Sequence, residues 1–133
     1  RDHPGVELCG WQPPERIGAL AAGTRALVMP SHHPEPFALV IAEAVQSGLP
    51  VLVSDTALLS AEIEARGFGA AFDVFDPVSF DAAIGRICGM PDAALAAMSA
   101  RCREAGADLS TTPRSWADSL LALYDGALAP AAA

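Results

Sequence analysis

Residues 30–50 read PSHHPEPFALVIAEAVQSGLP, from Pro30 to Pro50. The stretch follows an apolar run, Ala26-Leu27-Val28-Met29, and leads into another, Val51-Leu52-Val53-Ser54. Both runs are the length of a buried strand, and the second is apolar on both faces, as central strands of a parallel sheet are. Between them, Phe37 to Gln46 has the composition of a helix, and Gly48 supplies its stop signal. A strand, a loop, a helix and a second apolar strand make one parallel βαβ unit, which is closed by a right-handed crossover.

The same alternation continues outward. Upstream, Gly5 to Cys9 reads as a short strand with Gly10-Trp11-Gln12 as its exit loop. Pro13-Pro14 opens a helix where a missing N–H is harmless, and the helix ends near Gly23 with Ile17, Leu20 and Ala21 on its inward side. Downstream, residues 57–66 predict a helix with Leu58, Leu59 and Ile63 apolar, and Ala70 to Val74 a strand. The pattern then turns purely helical. Asp76-Pro77 is an N-cap and a first-turn proline, followed by Phe80, Ala83, Ile84, Ile87 and Cys88 on one face. Pro91 starts a helix with Leu95, Met98 and Cys102 inward, and Thr112-Pro113 caps a last one carrying Trp116, Leu120, Leu123, Tyr124 and Ala127. The expected fold is α/β, a Rossmann-like parallel sheet with flanking helices and a helical C-terminal end. Four β runs are fewer than the five or six of a complete nucleotide-binding half, so the sheet is expected to lack its first strands and the chain to be a segment of a larger protein. Residues 1–128 are read as one domain and residues 129–133 as a disordered tail.

Composition narrows the partners. The chain has 133 residues, is 52% hydrophobic and 18% charged, and carries a formal net charge of -8. A packed core follows from the first two values. The acidic balance, with only 8 basic residues, argues against nucleic acid and against a polybasic membrane patch. No apolar run approaches the roughly 20 residues of a membrane span. Cys9, Cys88 and Cys102 are far apart and form no C-x-x-C pair, which disfavours a zinc or redox motif and fits a reducing, cytoplasmic compartment.

The chemistry of residues 30–50 starts at the helix N-terminus. Phe37, Ala38 and Leu39 present backbone N–H groups without intrahelical acceptors, which with the helix dipole form an anion site. Glu35 stands before that terminus and Glu43 lies eight residues on. On a helix such a separation spans roughly 10–12 Å, about the reach from a sugar across a diphosphate to a ribose. Spacing alone is weak: Glu7 and Glu15 are also eight apart, and neither has an assigned role. Read from its neighbours alone, Glu43 either faces solvent between two buried faces or meets a partner, since an unpaired buried carboxylate is costly.

The stretch resembles the donor-binding signature of retaining glycosyltransferases of the GT-B fold, the large group 1 (family 4). The pattern is P-S, E-x-F-G-L-x-x-x-E-A, x-x-G-x-P-V and S-D. Here it stands as Pro30-Ser31, Glu35-Pro36-Phe37-Ala38-Leu39, Glu43-Ala44, Gly48-Leu49-Pro50-Val51 and Ser54-Asp55. Gly10-Trp11, Pro13 to Leu20, Phe72 to Pro77 and Trp116 to Leu128 fall in the family's order. The resemblance implies that Glu35 is the catalytic-site carboxylate contacting donor-sugar hydroxyls. It implies that Phe37, Ala38 and Leu39 hold the diphosphate and Glu43 the ribose, and that Trp11 and Gln12 lie in the region that meets the nucleobase. It implies a metal-independent hexosyl transfer with no cofactor, a nucleotide-sugar donor, and an N-terminal acceptor-binding lobe of the same protein. Through that lobe the protein could sit at the inner face of a membrane.

Two departures stand out. Ala38 replaces the usual Gly, which would tighten the closest backbone–phosphate approach, and Ala57-Leu58 replace the usual Gly-Gly after S-D-x. The cationic pair that assists the leaving group lies upstream in the family, so these 133 residues are expected to fold without catalysing transfer alone. His32 and His33 read as polar rim residues and Asp76 as a helix cap. The competing readings are a starch or glycogen synthase-like or epimerase lobe of the same architecture, and a non-catalytic Rossmann-like binding module.

Overall fold

In a computed structural model, which describes residues 3–128, the chain builds an α/β layer structure. The 129–133 tail lies outside the described residues. The elements are α1 (Pro14–Ala21), β1 (Leu27–Met29), α2 (Leu39–Gln46), β2 (Val51–Ser54), α3 (Ser60–Ala65), β3 (Gly69–Phe72), α4 (Pro77–Cys88), α5 (Asp92–Ala105), a 3-10 turn (Ala107–Leu109) and α6 (Pro113–Leu128). The three strands form one parallel sheet in the order β1-β2-β3, with Leu27 opposite Val51 and Val51 opposite Gly69.

The central strand shows why both faces had to be apolar. Val51 and Val53 enter one core with Ile41 and Val45 of α2, Ile63 of α3, Phe68 and Cys102. Leu52 points the other way, into a second core with Ala70, Phe72, Ala83 and Ile87 of α4, and Met98. Strand alternation thus feeds two helical layers from one apolar run. α5 serves both cores, through Cys102 and Met98.

The helix ends follow local chemistry. At the end of α2, Gly48 takes φ 82°, its N–H reaches the Val45 carbonyl and the Leu49 N–H that of Ala44, both at 2.8 Å. α3 ends the same way, with Gly67 at φ 65° and bonds from Gly67 to Glu64 and from Phe68 to Ile63. These Schellman turns cap the orphan carbonyls and turn the chain straight into the next strand. Asp76 accepts from the N–H groups of Val78 and Ser79 at the start of α4, and Thr112 from Ser115 at the start of α6.

Five expectations are corrected. Residues 5–9 are not a strand: they pair with nothing, and Leu8 is 87% exposed, so the sheet has three strands and not four. A strand needs a ladder partner and a face to bury, and this run finds neither among the described residues. The inward side of α1 is not buried either; Ile17 is 55% exposed, and Leu20 is also open to solvent. The second helix starts at Leu39, two residues later than read, and the third spans Ser60–Ala65 instead of residues 57–66. The strand expected over Ala70 to Val74 occupies Gly69–Phe72. α6 buries none of its side chains. No helix among the described residues is long and apolar enough to cross a membrane.

Candidate functional site

The loops leaving β1, β2 and β3 gather at one edge of the sheet, beyond the carboxyl ends of the strands, where open α/β sheets bind ligands. The first two are stitched together around Glu35. Glu35 forms a parallel bridge with Ala57, and its carbonyl accepts the Leu58 N–H at 3.2 Å. Thr56 Oγ1 donates to the Ser31 carbonyl at 2.8 Å, and Ser31 Oγ lies 3.2 Å from Glu35 Oε1. The third loop joins through an edge-on contact of His32 with Phe75, ring centroids 5.3 Å apart.

Next comes the start of α2. Its N-cap is Ala38, at φ 37° and ψ 48°, the one non-glycine residue with positive φ among the described residues. The left-handed region is where glycine is comfortable and alanine is strained. Ala38 is only 6% exposed and belongs to the core with Ile41, Val45 and Ala57. The departure from glycine therefore appears as backbone strain held by packing, not as bulk on the loop surface. Ile41 N–H bonds back to the Ala38 carbonyl at 2.8 Å. The N–H groups of Phe37, Ala38, Leu39 and Val40 have no acceptor among the described residues. Val40 joins the donors named from sequence because the helix starts two residues late. The Phe37 side chain is 79% exposed beside them.

Glu43 lies in the last turn of α2 and is exposed. It lines a groove of about 310 Å³ between α1 and α2, with Ile17, Gly18 and Ala21 on one wall and Val40 and Ser47 on the other. Only Leu39 to Glu43 is helical, a rise of roughly 6 Å; the rest of the separation from Glu35 is loop. Trp11 is 86% exposed and Gln12 donates to the Cys9 carbonyl, but neither lines the groove that holds Glu43. The structure thus brings Glu35 and the free N–H groups onto one loop–helix junction and places Glu43 along the same helix, with Trp11 and Gln12 outside that groove.

Four arginines are engaged at the opposite, amino edge of the sheet. Arg25 ties the Ile87 and Met90 carbonyls to Asp92, and Arg66 bridges Glu62 and Asp108. Arg101 donates to the Gly67 carbonyl and Arg103 to Ser99. Among the described residues no three His, Cys, Asp or Glu side chains gather as a metal cluster.

The profile of the group 1 glycosyl transferases matches residues 3–108, most of the chain. The chain belongs to that family. No curated protein and no solved structure matches it significantly. Membership makes glycosyl transfer the general activity. The matched span contains all three strands, the stitched loops and the start of α2, so the strained Ala38 and the Ser31–Glu35 contact are features of a group 1 glycosyl transferase domain. The Thr56 contact had no signal in the sequence, because Thr56 is 25 residues from the Ser31 carbonyl it binds.

Proposed function

We propose that this domain is the C-terminal, donor-binding lobe of a retaining, family 4 glycosyltransferase of the GT-B type, working without a metal in the cytoplasm. The observation that carries the reading is the run of unsatisfied N–H groups from Phe37 to Val40, bounded by Glu35 on the loop side and Glu43 on the helix side. Those donors and the positive end of α2 suit a diphosphate. Glu35 suits hydroxyls of the transferred hexose and Glu43 the paired ribose hydroxyls. The nucleobase would lie toward the apolar α1–α2 groove, and Trp11 and Gln12, which do not line that groove, would meet the base from the loop before α1. An acceptor-binding lobe of the same protein would supply the acceptor and the cations for the leaving group.

Calorimetric titration of the chain with UDP-glucose, GDP-mannose and ADP-glucose tests the reading. One of the three should bind saturably, and the chain alone should transfer no sugar. Absence of binding by any of them to folded protein would overturn the donor role, and turnover by the isolated chain would overturn the division of labour between lobes.

A further inference from the structure

A series of polar contacts runs from the core to Glu35, passing through the Ser31 backbone. Ser54 is the last residue of β2 and is fully buried. Its Oγ lies 3.0 Å from Thr56 Oγ1. Thr56 has a single hydroxyl proton and donates it to the Ser31 carbonyl at 2.8 Å, so Ser54 must be the donor in the first link. Ser31 Oγ in turn has one proton and two acceptors, the His33 carbonyl at 3.1 Å and Glu35 Oε1 at 3.2 Å. Glu35 Oε2 accepts nothing among the described residues and is left for a ligand. The Glu35 backbone is fixed independently, by the bridge to Ala57 and the bond from Leu58.

We propose that Thr56 and Ser31 are positioning residues that aim the Glu35 carboxylate at the donor sugar. This rests on the reading of Glu35 as the sugar-contacting group. Thr56 fixes the Ser31 backbone from the rigid end of β2, and the Ser31 hydroxyl occupies one carboxylate oxygen so that the other faces the sugar. A carboxylate with one oxygen held has fewer rotamers to lose on binding, which is how supporting contacts sharpen a site. The effect should fall on the sugar and spare the nucleotide.

The test compares two ligands on each variant: the best-binding sugar nucleotide of the panel and its free nucleoside diphosphate. Thr56→Val and Ser31→Ala should weaken the sugar nucleotide about tenfold, the worth of one hydrogen bond near a charge. The free diphosphate should change by less than about threefold, since its contacts are backbone N–H groups. Thr56→Ser keeps the hydroxyl and should restore the ratio. Should Thr56→Val fail to fold for want of a partner for Ser54, Ser31→Ala carries the test, as the Ser31 hydroxyl receives no hydrogen bond from a buried group. Equal weakening of both ligands, or no rescue by Thr56→Ser, would mean a structural role and overturn the proposal. So would an unchanged ratio in Ser31→Ala and Thr56→Val while Glu35→Ala collapses it. An unchanged ratio in Glu35→Ala itself would overturn the underlying assignment of Glu35.

Discussion

Replacing Glu43 by alanine should move stability and binding in opposite directions. The Glu43 carboxylate accepts no hydrogen bond and makes no ion pair among the described residues; only its backbone carbonyl is engaged, by the Ser47 N–H, so truncating the side chain orphans no partner. It sits in the last turn of α2, which holds no basic residue. A carboxylate there faces the negative end of the helix dipole, a cost of about 0.3–1 kcal/mol, and alanine is the better helix former by a few tenths more. Glu43→Ala should thus stabilise the free domain by about 0.5–1 kcal/mol and raise Tm by about 2–5 °C. In the complex, the lost bonds from ribose hydroxyls to a charged acceptor are worth about 1.5–3 kcal/mol, roughly a 10- to 150-fold rise in Kd. Thermal unfolding gives the first quantity and calorimetry the second. A double-mutant cycle then ties the loss to the ribose: the 2′,3′-dideoxy nucleotide should bind wild type and Glu43→Ala alike, because the partner is already gone. If the dideoxy analogue loses as much affinity on Glu43→Ala as on wild type, Glu43 does not hold the ribose. A lower Tm would show that the carboxylate has a structural partner.

Two further perturbations probe the frame behind the site. A methyl on Gly69 would fall inside the contact radius of the Val51 carbonyl oxygen across the β2–β3 ladder; Gly69→Ala should cost about 3 kcal/mol or more, read as a lower urea midpoint, because backbone and not a flexible side chain must move. The Arg66 guanidinium, 2.7 Å from Asp108, holds that carboxyl below its usual range. A depressed carboxyl contributes stability that is present above the unfolded value, about pH 4, and is lost as pH falls through the folded value. The urea midpoint of wild type should therefore exceed that of Asp108→Asn at neutral pH, and the gap should close in acid; a gap constant with pH would show that the pair contributes nothing. Hydrogen bonds to Asp108 and Glu62 raise Arg66 itself above its ordinary range, so its own loss of charge lies in strong alkali.

What sequence could and could not show divides along the range of the interactions. The βαβ frame was legible because β2 must be apolar on both faces to feed two cores, and because Gly48, Asp76 and Thr112 cap their helices with contacts only a few residues away. The misreadings came where a pattern needed a distant partner. Val6 and Leu8 alternate like a strand, but alternation supplies no ladder, and nothing among the described residues pairs with them. The start of α2 was misplaced because its boundary is set by Ala38, whose left-handed backbone no alanine prefers and only tertiary packing imposes. Glu35 and Glu43 could be picked out as residues, while the groups that orient Glu35 could not, since Thr56 reaches it through a carbonyl far off in sequence. The carboxylates were legible because they stand in a local motif. The geometry of Glu35 was not, because its supporting contacts run back to the buried end of β2. A variant that leaves residues 30–50 untouched and changes only Thr56 is therefore the sharper probe of that site, for it alters the aim of the carboxylate without altering the motif.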